Sequence, residues 1–246
     1  MNVSVTIISK NEMRHIEKCL ESVRWASEIV LIDQFSTDGT AEFAKLFGAK
    51  VFQEPWHGFA AQKNIAIDKA KGPWILSLDV DERVTPLLNK EIENIIHQKT
   101  SYNGYKIARK NFFCGQWIRY GGWYPDYNLR LFKKDTGYFQ ERAVHEKVIV
   151  DGKVGFLKHP LEHYTYLSVA DYLTRLERYS RLAAKEMSGS KKIVHWHSLT
   201  IRPLYTFVHM YLFRRGFLDG AAGFFLAVSY AYYNFLKYYR FYKKDF

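Results

Sequence analysis

Short apolar runs alternate with amphipathic stretches through the first hundred residues. Residues 3–9 (Val-Ser-Val-Thr-Ile-Ile-Ser) read as a buried strand, and residues 12–24 as a helix with one apolar face. A second strand is expected at 29–33, after which Ser36-Thr37-Asp38-Gly39-Thr40 turns the chain and caps a helix through Phe47. A strand at 49–53, a helix at 58–71 and a strand at 74–78 continue the alternation. Repeated strand–helix units predict a mostly parallel sheet covered on both faces. Thr85-Pro86 opens another helix to about Gln98, with proline at its first position. Between 104 and 157 the pattern becomes β-rich and irregular, with Gly115, Gly121, Gly122 and Gly152 as turns. A helix from Ser168 to about Met187 follows, then a basic helical region from Pro203 onward.

In open α/β sheets, ligands bind beyond the C-terminal ends of the strands. Those ends carry Lys10-Asn11-Glu12, Asp33 and Asp79-Val80-Asp81-Glu82. Each cluster alone could be a turn or cap, because Asp and Asn are common in both. Their convergence on one sheet edge marks a site. Asp79 and Asp81, two residues apart at a strand end, face the same way and suit a hard divalent cation, Mg²⁺ or Mn²⁺, that bridges phosphates. A Gly-rich phosphate loop is absent after the first strand, which excludes the usual dinucleotide-binding dehydrogenase.

Charge adds a partner. The formal net charge is +11, and +8 of it falls within residues 151–246, which implies an anionic surface or substrate. Residues 203–246 hold sixteen Phe or Tyr, six Lys or Arg and two acids, and residues 217–236 contain a single charge, Asp219. A membrane span is therefore weighed, but Gly216, Gly220, Gly223 and the polar-tipped tyrosines favour helices lying in the membrane interface. Arg214, Arg215, Lys237, Arg240, Lys243 and Lys244 would then face anionic lipid together. The rival is an ordinary packing surface or homo-oligomer interface. A nucleic-acid-binding protein is the alternative of another class, but no base-reading motif accompanies the charge, and an acidic sheet edge would repel phosphate without a cation. The N-terminus lacks the basic and apolar regions of a signal peptide, so a cytoplasmic chain is expected. Of two cysteines, Cys19 is expected as a core thiol, and nothing demands a disulfide with Cys114.

Three segments carry a specific resemblance: Thr-Ile-Ile-Ser-Lys-Asn-Glu (6–12), Val-Leu-Ile-Asp-Gln-Phe-Ser-Thr-Asp-Gly-Thr (30–40) and Ile-Leu-Ser-Leu-Asp-Val-Asp-Glu (75–82). They resemble the family 2 inverting glycosyltransferases with the GT-A fold. Gly-Phe-Ala-Ala-Gln-Lys-Asn (58–64), Val-His-Glu-Lys (144–147) and Arg-Arg-Gly-Phe-Leu-Asp-Gly (214–220) are similar to one branch, the lipopolysaccharide-core β-1,4-glucosyltransferases acting on heptose. The resemblance implies a GT-A catalytic domain over 1–165, with a nucleotide-binding half (1–100) and an acceptor-side half (101–165). Residues 166–246 form its helical basic and aromatic appendage.

The same resemblance implies roles. Glu12 and Asp33 would meet the base or ribose of a nucleotide sugar, Lys63 the base or phosphates, and Asp79 the ribose or metal. Asp81 would bind the metal, and His163 is a further candidate ligand. Arg130 and Arg142 are candidates for holding phosphate. Many relatives carry a second Asp, which often reads uracil, where this chain has Gln34. They also use a Glu-Asp pair as base, which this chain lacks; Glu146 of His145-Glu146 takes that place, with Glu141 and Asp126 next in line. The implied reaction moves glucose from UDP-glucose to an inner-core heptose on a lipid-linked glycan. Its alternative is another hexose on another bacterial envelope polysaccharide. The implied place is the cytoplasm, peripheral on the inner face of the inner membrane.

Overall fold

The computed structural model describes residues 2–98, 100–140, 147–189 and 196–244. Its first elements are β1 (Val3–Ser9), α1 (Met13–Ser22), β2 (Glu28–Asp33), α2 (Thr40–Phe47), β3 (Lys50–Gln53), α3 (Phe59–Lys69) and β4 (Trp74–Asp79). β1 pairs in parallel with both β2 and β4, and β2 with β3, giving the parallel order β3-β2-β1-β4. The strand period of two sorts the core. Leu31, Leu76 and Leu78 join one apolar cluster with Ile16, Cys19 and Leu20 of α1, whereas Val30, Ile32 and Ile75 join another with Ala60, Ala66 and Ile67 of α3. Both faces are thus covered, which is why these strands are apolar almost throughout.

Beyond β4 the sheet ceases to be parallel. β5 (Glu82–Val84) and α4 (Pro86–His97) come next, and Thr85 Oγ1 accepts the Leu88 amide, 3.2 Å away, to cap α4. β6 (Gly104–Phe113), β7 (Gln116–Trp117), β8 (Asp126–Lys133), β9 (Gly137–Gln140), β10 (Lys147–Val150), β11 (Val154–Phe156) and β12 (Leu161–Tyr166) follow without crossover helices. Without crossovers, neighbouring strands run antiparallel: β8 against β4, β12 against β5, β10 against β9. β11, parallel to β6, is the exception. The mostly parallel sheet expected from sequence is therefore a parallel half extended by a mixed half, within an α/β fold.

The chain divides into two compact units, Met1–Arg109 with Tyr127–His163, and Lys110–Asp126 with Tyr164–Phe246. This differs from a single cut at 165, because residues 110–126 belong with the C-terminal helices. Those helices are α5 (Val169–Ser188), α6 (Ile201–Val208) and α7 (Gly220–Lys243), with a π turn at His209–Phe213 and a 3-10 turn at Gly216–Asp219. Phe113 and Ile118 pack with Tyr172, Leu176 and Leu226 in the core of this unit. Asp219 is buried, and its carboxylate accepts the amides of Arg119 (3.2 Å) and Tyr120 (2.8 Å). Gly223 permits the tight start of α7, since a Cβ there would fall 1.9 Å from the Gly216 carbonyl oxygen.

Two of the basic residues expected on a common outer face are otherwise engaged. Arg240 is buried, donating to the Glu177 carbonyl (2.9 Å), Ser180 Oγ (2.5 Å) and Glu177 Oε1 (3.1 Å). Lys237 is half-buried, with its ammonium over the Tyr233 and Tyr238 rings. No helix among the described residues is long and apolar enough to cross a membrane.

Candidate active site

The loops after β1 and β2 are laced together. Asn11, in a left-handed conformation (φ 54°), accepts the Thr37 amide through Oδ1 at 2.8 Å, and its own amide donates to Ser36 Oγ at 2.8 Å. The Met13 amide donates to Asp38 and the Glu12 amide to Thr40 Oγ1. Glu12 occupies the N-cap position of α1 without a side-chain capping bond and is half-exposed at this edge. Asp33, expected at the base or ribose, is 0% exposed, and its carboxylate takes Ser9 Oγ (2.9 Å) and the Ser36 amide (2.8 Å). It anchors the loop that carries Gln34.

At the end of β4 the acids are arranged by cations that the sequence did not connect to them. Lys63 of α3 donates to Asp79 Oδ1 at 2.8 Å, and Arg130 of β8 donates through one Nη2 to Asp79 Oδ2 and, at 2.6 Å, to Glu82 Oε1. Glu82 is fully buried; its Oε2 also accepts the Asp79 amide at 3.0 Å, and Arg109 lies 3.8 Å from its Oε1. Burial works to raise the Asp79 carboxyl, but Arg130 and Lys63 overcome it and hold the group well below the usual carboxylate range. Burial likewise opposes the charge on Arg130, yet Asp79 and Glu82 push its pKa upward. Lys63 and Arg130, expected at base or phosphate, are thus ligands of Asp79 in this structure.

Asp81 is set apart from that network. Its Oδ2 lies 3.4 Å from His163 Nε2, and both side chains are largely enclosed. Burial raises the Asp81 carboxyl, while the hydrogen bond and charge of His163, with a smaller part from His15, together leave the pKa lowered. Arg83, buried beneath the turn, donates to the Val80 and Glu82 carbonyls at 2.7 Å each and to the His15 carbonyl at 2.8 Å, tying the turn to α1. Cys19 lies under it, its thiol pushed up to about 12 by burial.

The donor chemistry fits a hard divalent ion. A carboxylate oxygen and an imidazole nitrogen can hold Mg²⁺ or Mn²⁺ when phosphate and water oxygens complete the shell. Among the described residues no group of three His, Cys, Asp or Glu side chains converges. Sequence reading put Glu82 in the acidic cluster without a partner and missed Arg83 and Arg109; the burial of Glu82 and Arg83 and the approach of Arg109 have no local sequence signal. Asp126 is half-exposed on β8, while Glu141, Arg142, His145 and Glu146 lie outside the described residues.

The chain is similar to the lipopolysaccharide core biosynthesis glycosyltransferase LpsC of Rhizobium meliloti (strain 1021), at 31% identity over 247 residues, 95% of this chain and 89% of that protein. An uncharacterized glycosyltransferase of Rickettsia conorii is 29% identical over 249 residues, 96% of this chain and 88% of its own length. In fold, the chain is similar to the mannosyltransferase PcManGT from Pyrobaculum calidifontis in complex with GDP-Man and Mn²⁺, with a TM-score of 0.57 and 13% identity, covering 100% and 88% of the two chains. It is also similar to S. aureus TarS 1–349 in complex with UDP-GlcNAc, with a TM-score of 0.52 and 16% identity, covering 98% and 90%. These structures share the GT-A fold. The profile of Glycosyl transferase family 2 matches residues 4–164. That match takes in all three acidic strand ends and His163, and the chain therefore belongs to glycosyl transferase family 2.

Proposed function

We propose that this glycosyltransferase moves glucose from UDP-glucose onto an inner-core heptose of lipopolysaccharide, with inversion at the anomeric carbon. The relation to LpsC across 95% of the chain carries the acceptor class. The acceptor is a lipid-linked glycan, and the enzyme meets it in the cytoplasm as a peripheral protein on the inner face of the inner membrane.

The proposed roles are these. Asp81 and His163 would hold Mg²⁺ or Mn²⁺, which supplies positive charge to the departing diphosphate when bound. Asp79, kept ionised by Lys63 and Arg130, retains acceptor positions on both oxygens for ribose hydroxyls. Glu12 lies beside the base, and Asp33 acts by fixing the loop of Gln34. Glu146 takes the proton from the acceptor hydroxyl as its oxygen attacks the anomeric carbon on the face opposite the leaving group. Binding the donor at one rigid sheet edge fixes the direction of attack.

A second reading, transfer of another hexose to another envelope polysaccharide, is favoured by Gln34, which stands where many relatives carry the uracil-reading Asp. One assay separates them. The protein is incubated with heptose-terminated core acceptor and UDP-glucose, UDP-galactose or GDP-mannose, with Mn²⁺ or EDTA, and the product is read by mass and by anomeric NMR coupling. The first reading expects a β-linked glucose adduct from UDP-glucose with Mn²⁺ and none with EDTA. Transfer from another donor alone replaces it with the second; no transfer to a heptose acceptor from any donor overturns it.

A further inference from the structure

The C-terminal unit has more apolar surface than its core uses. Its core is closed by Phe113, Tyr172 and Leu226, yet Leu204, Tyr205, Leu212, Phe213, Phe217 and Leu218 remain outside it and exposed. Phe213 is 75% exposed and Leu204 65%, more than most large apolar side chains in the protein. Ring contacts join several of them in two groups: Tyr205 stacks on His209 and His209 packs on Phe213, a row along the helix, while Tyr211 contacts both Phe217 and Phe224. Apolar residues exposed in such number within fifteen positions, with two arginines among them, mark an interaction surface.

Within the stretch, the exposed charge has one sign. Arg214 and Arg215 are both exposed within the stretch, with Arg214 Nε 3.3 Å from His209 Nε2. The Arg215 backbone is left-handed (φ 56°), a conformation glycine takes at less cost, and its guanidinium has no protein partner among the described residues. The single acid of residues 203–244, Asp219, is buried on the Arg119 and Tyr120 amides and does not offset them.

We infer that the edge formed by the end of α6, the π turn and the 3-10 turn, residues 204–218, inserts into an anionic lipid leaflet. Leu212, Phe213, Phe217 and Leu218 enter the acyl boundary, and Arg214 and Arg215 meet the phosphates at headgroup level. The complementary partner of exposed apolar groups rimmed by cations is a negatively charged lipid surface, not an apolar face of a second copy bearing the same cations. This places the docking edge before α7 rather than along its basic C-terminal end. It rests on the proposed membrane-bound acceptor, but its test involves no sugar transfer.

The experiment is flotation of the full chain with vesicles of phosphatidylcholine, with and without phosphatidylglycerol, beside sedimentation velocity without lipid. The native chain is expected to float with the anionic vesicles, less so in high salt. Phe213→Glu and, separately, Leu212→Glu are expected to cut the bound fraction by about tenfold, on the scale of losing one inserted side chain. Arg214→Glu with Arg215→Glu is expected to remove the preference for anionic lipid. Near-ultraviolet circular dichroism verifies that each variant is folded, as substitutions at exposed positions allow. Equal flotation of native and apolar-to-Glu variants overturns the inference. So does failure of the native chain to float, or a native dimer that Phe213→Glu dissolves while flotation persists. If the native protein floats yet transfers no sugar, the docking edge stands and the proposed reaction does not.

Discussion

His163 Nε2 and Asp81 Oδ2 lie 3.4 Å apart because the antiparallel pairing of β12 with β5 sets His163 opposite Glu82, next to Asp81 in the chain. A pair made by strand register is held more firmly than one made by loops. Asp81→Ala is expected to cost at least about 10²-fold in transfer rate, the scale of losing stabilisation of a leaving anion, with little change in the urea midpoint. His163→Ala is expected to raise the Mn²⁺ concentration needed for half-maximal activity and to weaken Mn²⁺ binding followed by electron paramagnetic resonance. Native rates for both variants in EDTA would exclude a metal at this pair.

Glu82 tests the network behind Asp79. It is fully buried and receives Arg130 and the Asp79 amide. Removing one partner of a buried ion pair leaves the other uncompensated, at a cost of about 3–5 kcal/mol. Glu82→Ala is expected to lose stability on that scale in urea titrations, and Glu82→Gln less, since its amide oxygen can still accept. A loss below about 1 kcal/mol for the alanine variant, the level of an exposed pair, would show that Glu82 does not hold Arg130.

The lowered Asp79 carboxyl gives a pH signature. A group whose folded pKa lies below its unfolded value of about 3.9 adds stability above that value and loses it as pH falls toward the folded one. The same sign holds for Asp81, whose carboxyl is also lowered. The native urea midpoint is therefore expected to drop on acidification below about pH 4. Asp79→Asn is expected to start lower at neutral pH and to show a shallower acid slope. Parallel curves would assign the acid sensitivity to other carboxylates.

Glu146→Gln addresses the base. Loss of a positioned base costs about 10²–10⁴ in rate, so the variant is expected to bind donor as the native chain does while single-turnover transfer slows by that factor. Near-native turnover would shift the role to Glu141 or Asp126.

The two thiols report on packing. Cys19 is buried with its thiol pushed up to about 12, and Cys114 is exposed. A chromogenic thiol reagent is expected to modify Cys114 alone in the folded protein and both after denaturation. Fast labelling of Cys19 under native conditions would mean that α1 does not seal the turn beneath Asp79.

Much of this was legible in sequence where local rules decide. The strands at 3–9 and 74–78 are dominated by apolar residues, and Thr85-Pro86 and Ser168 carry cap chemistry that needs no partner elsewhere. The acidic edge followed from strand direction alone. What did not follow are pairings across long separations. Arg130 reads as a phosphate holder or a solvated charge until β8 is known to lie against β4, which puts it on Asp79 and Glu82. Asp33 reads as a ligand contact until the β1 and β2 loops are seen to enclose it. Arg240 reads as surface charge in a basic tail, yet it is spent on Glu177 and Ser180 of a helix some sixty positions earlier.

The grip of Asp219 on the Arg119 and Tyr120 amides bears on how the family's chains can be cut and exchanged. A deletion after residue 163 would strip residues 110–126 of the carboxylate and the aromatic core that hold them, and leave an open hairpin in place of a finished catalytic half. Grafting the C-terminal helices onto another family member would fail for the mirror reason, unless the hairpin travelled with them. The unit of inheritance here is two separated stretches of chain, and recombination that respects it must break the gene in three places.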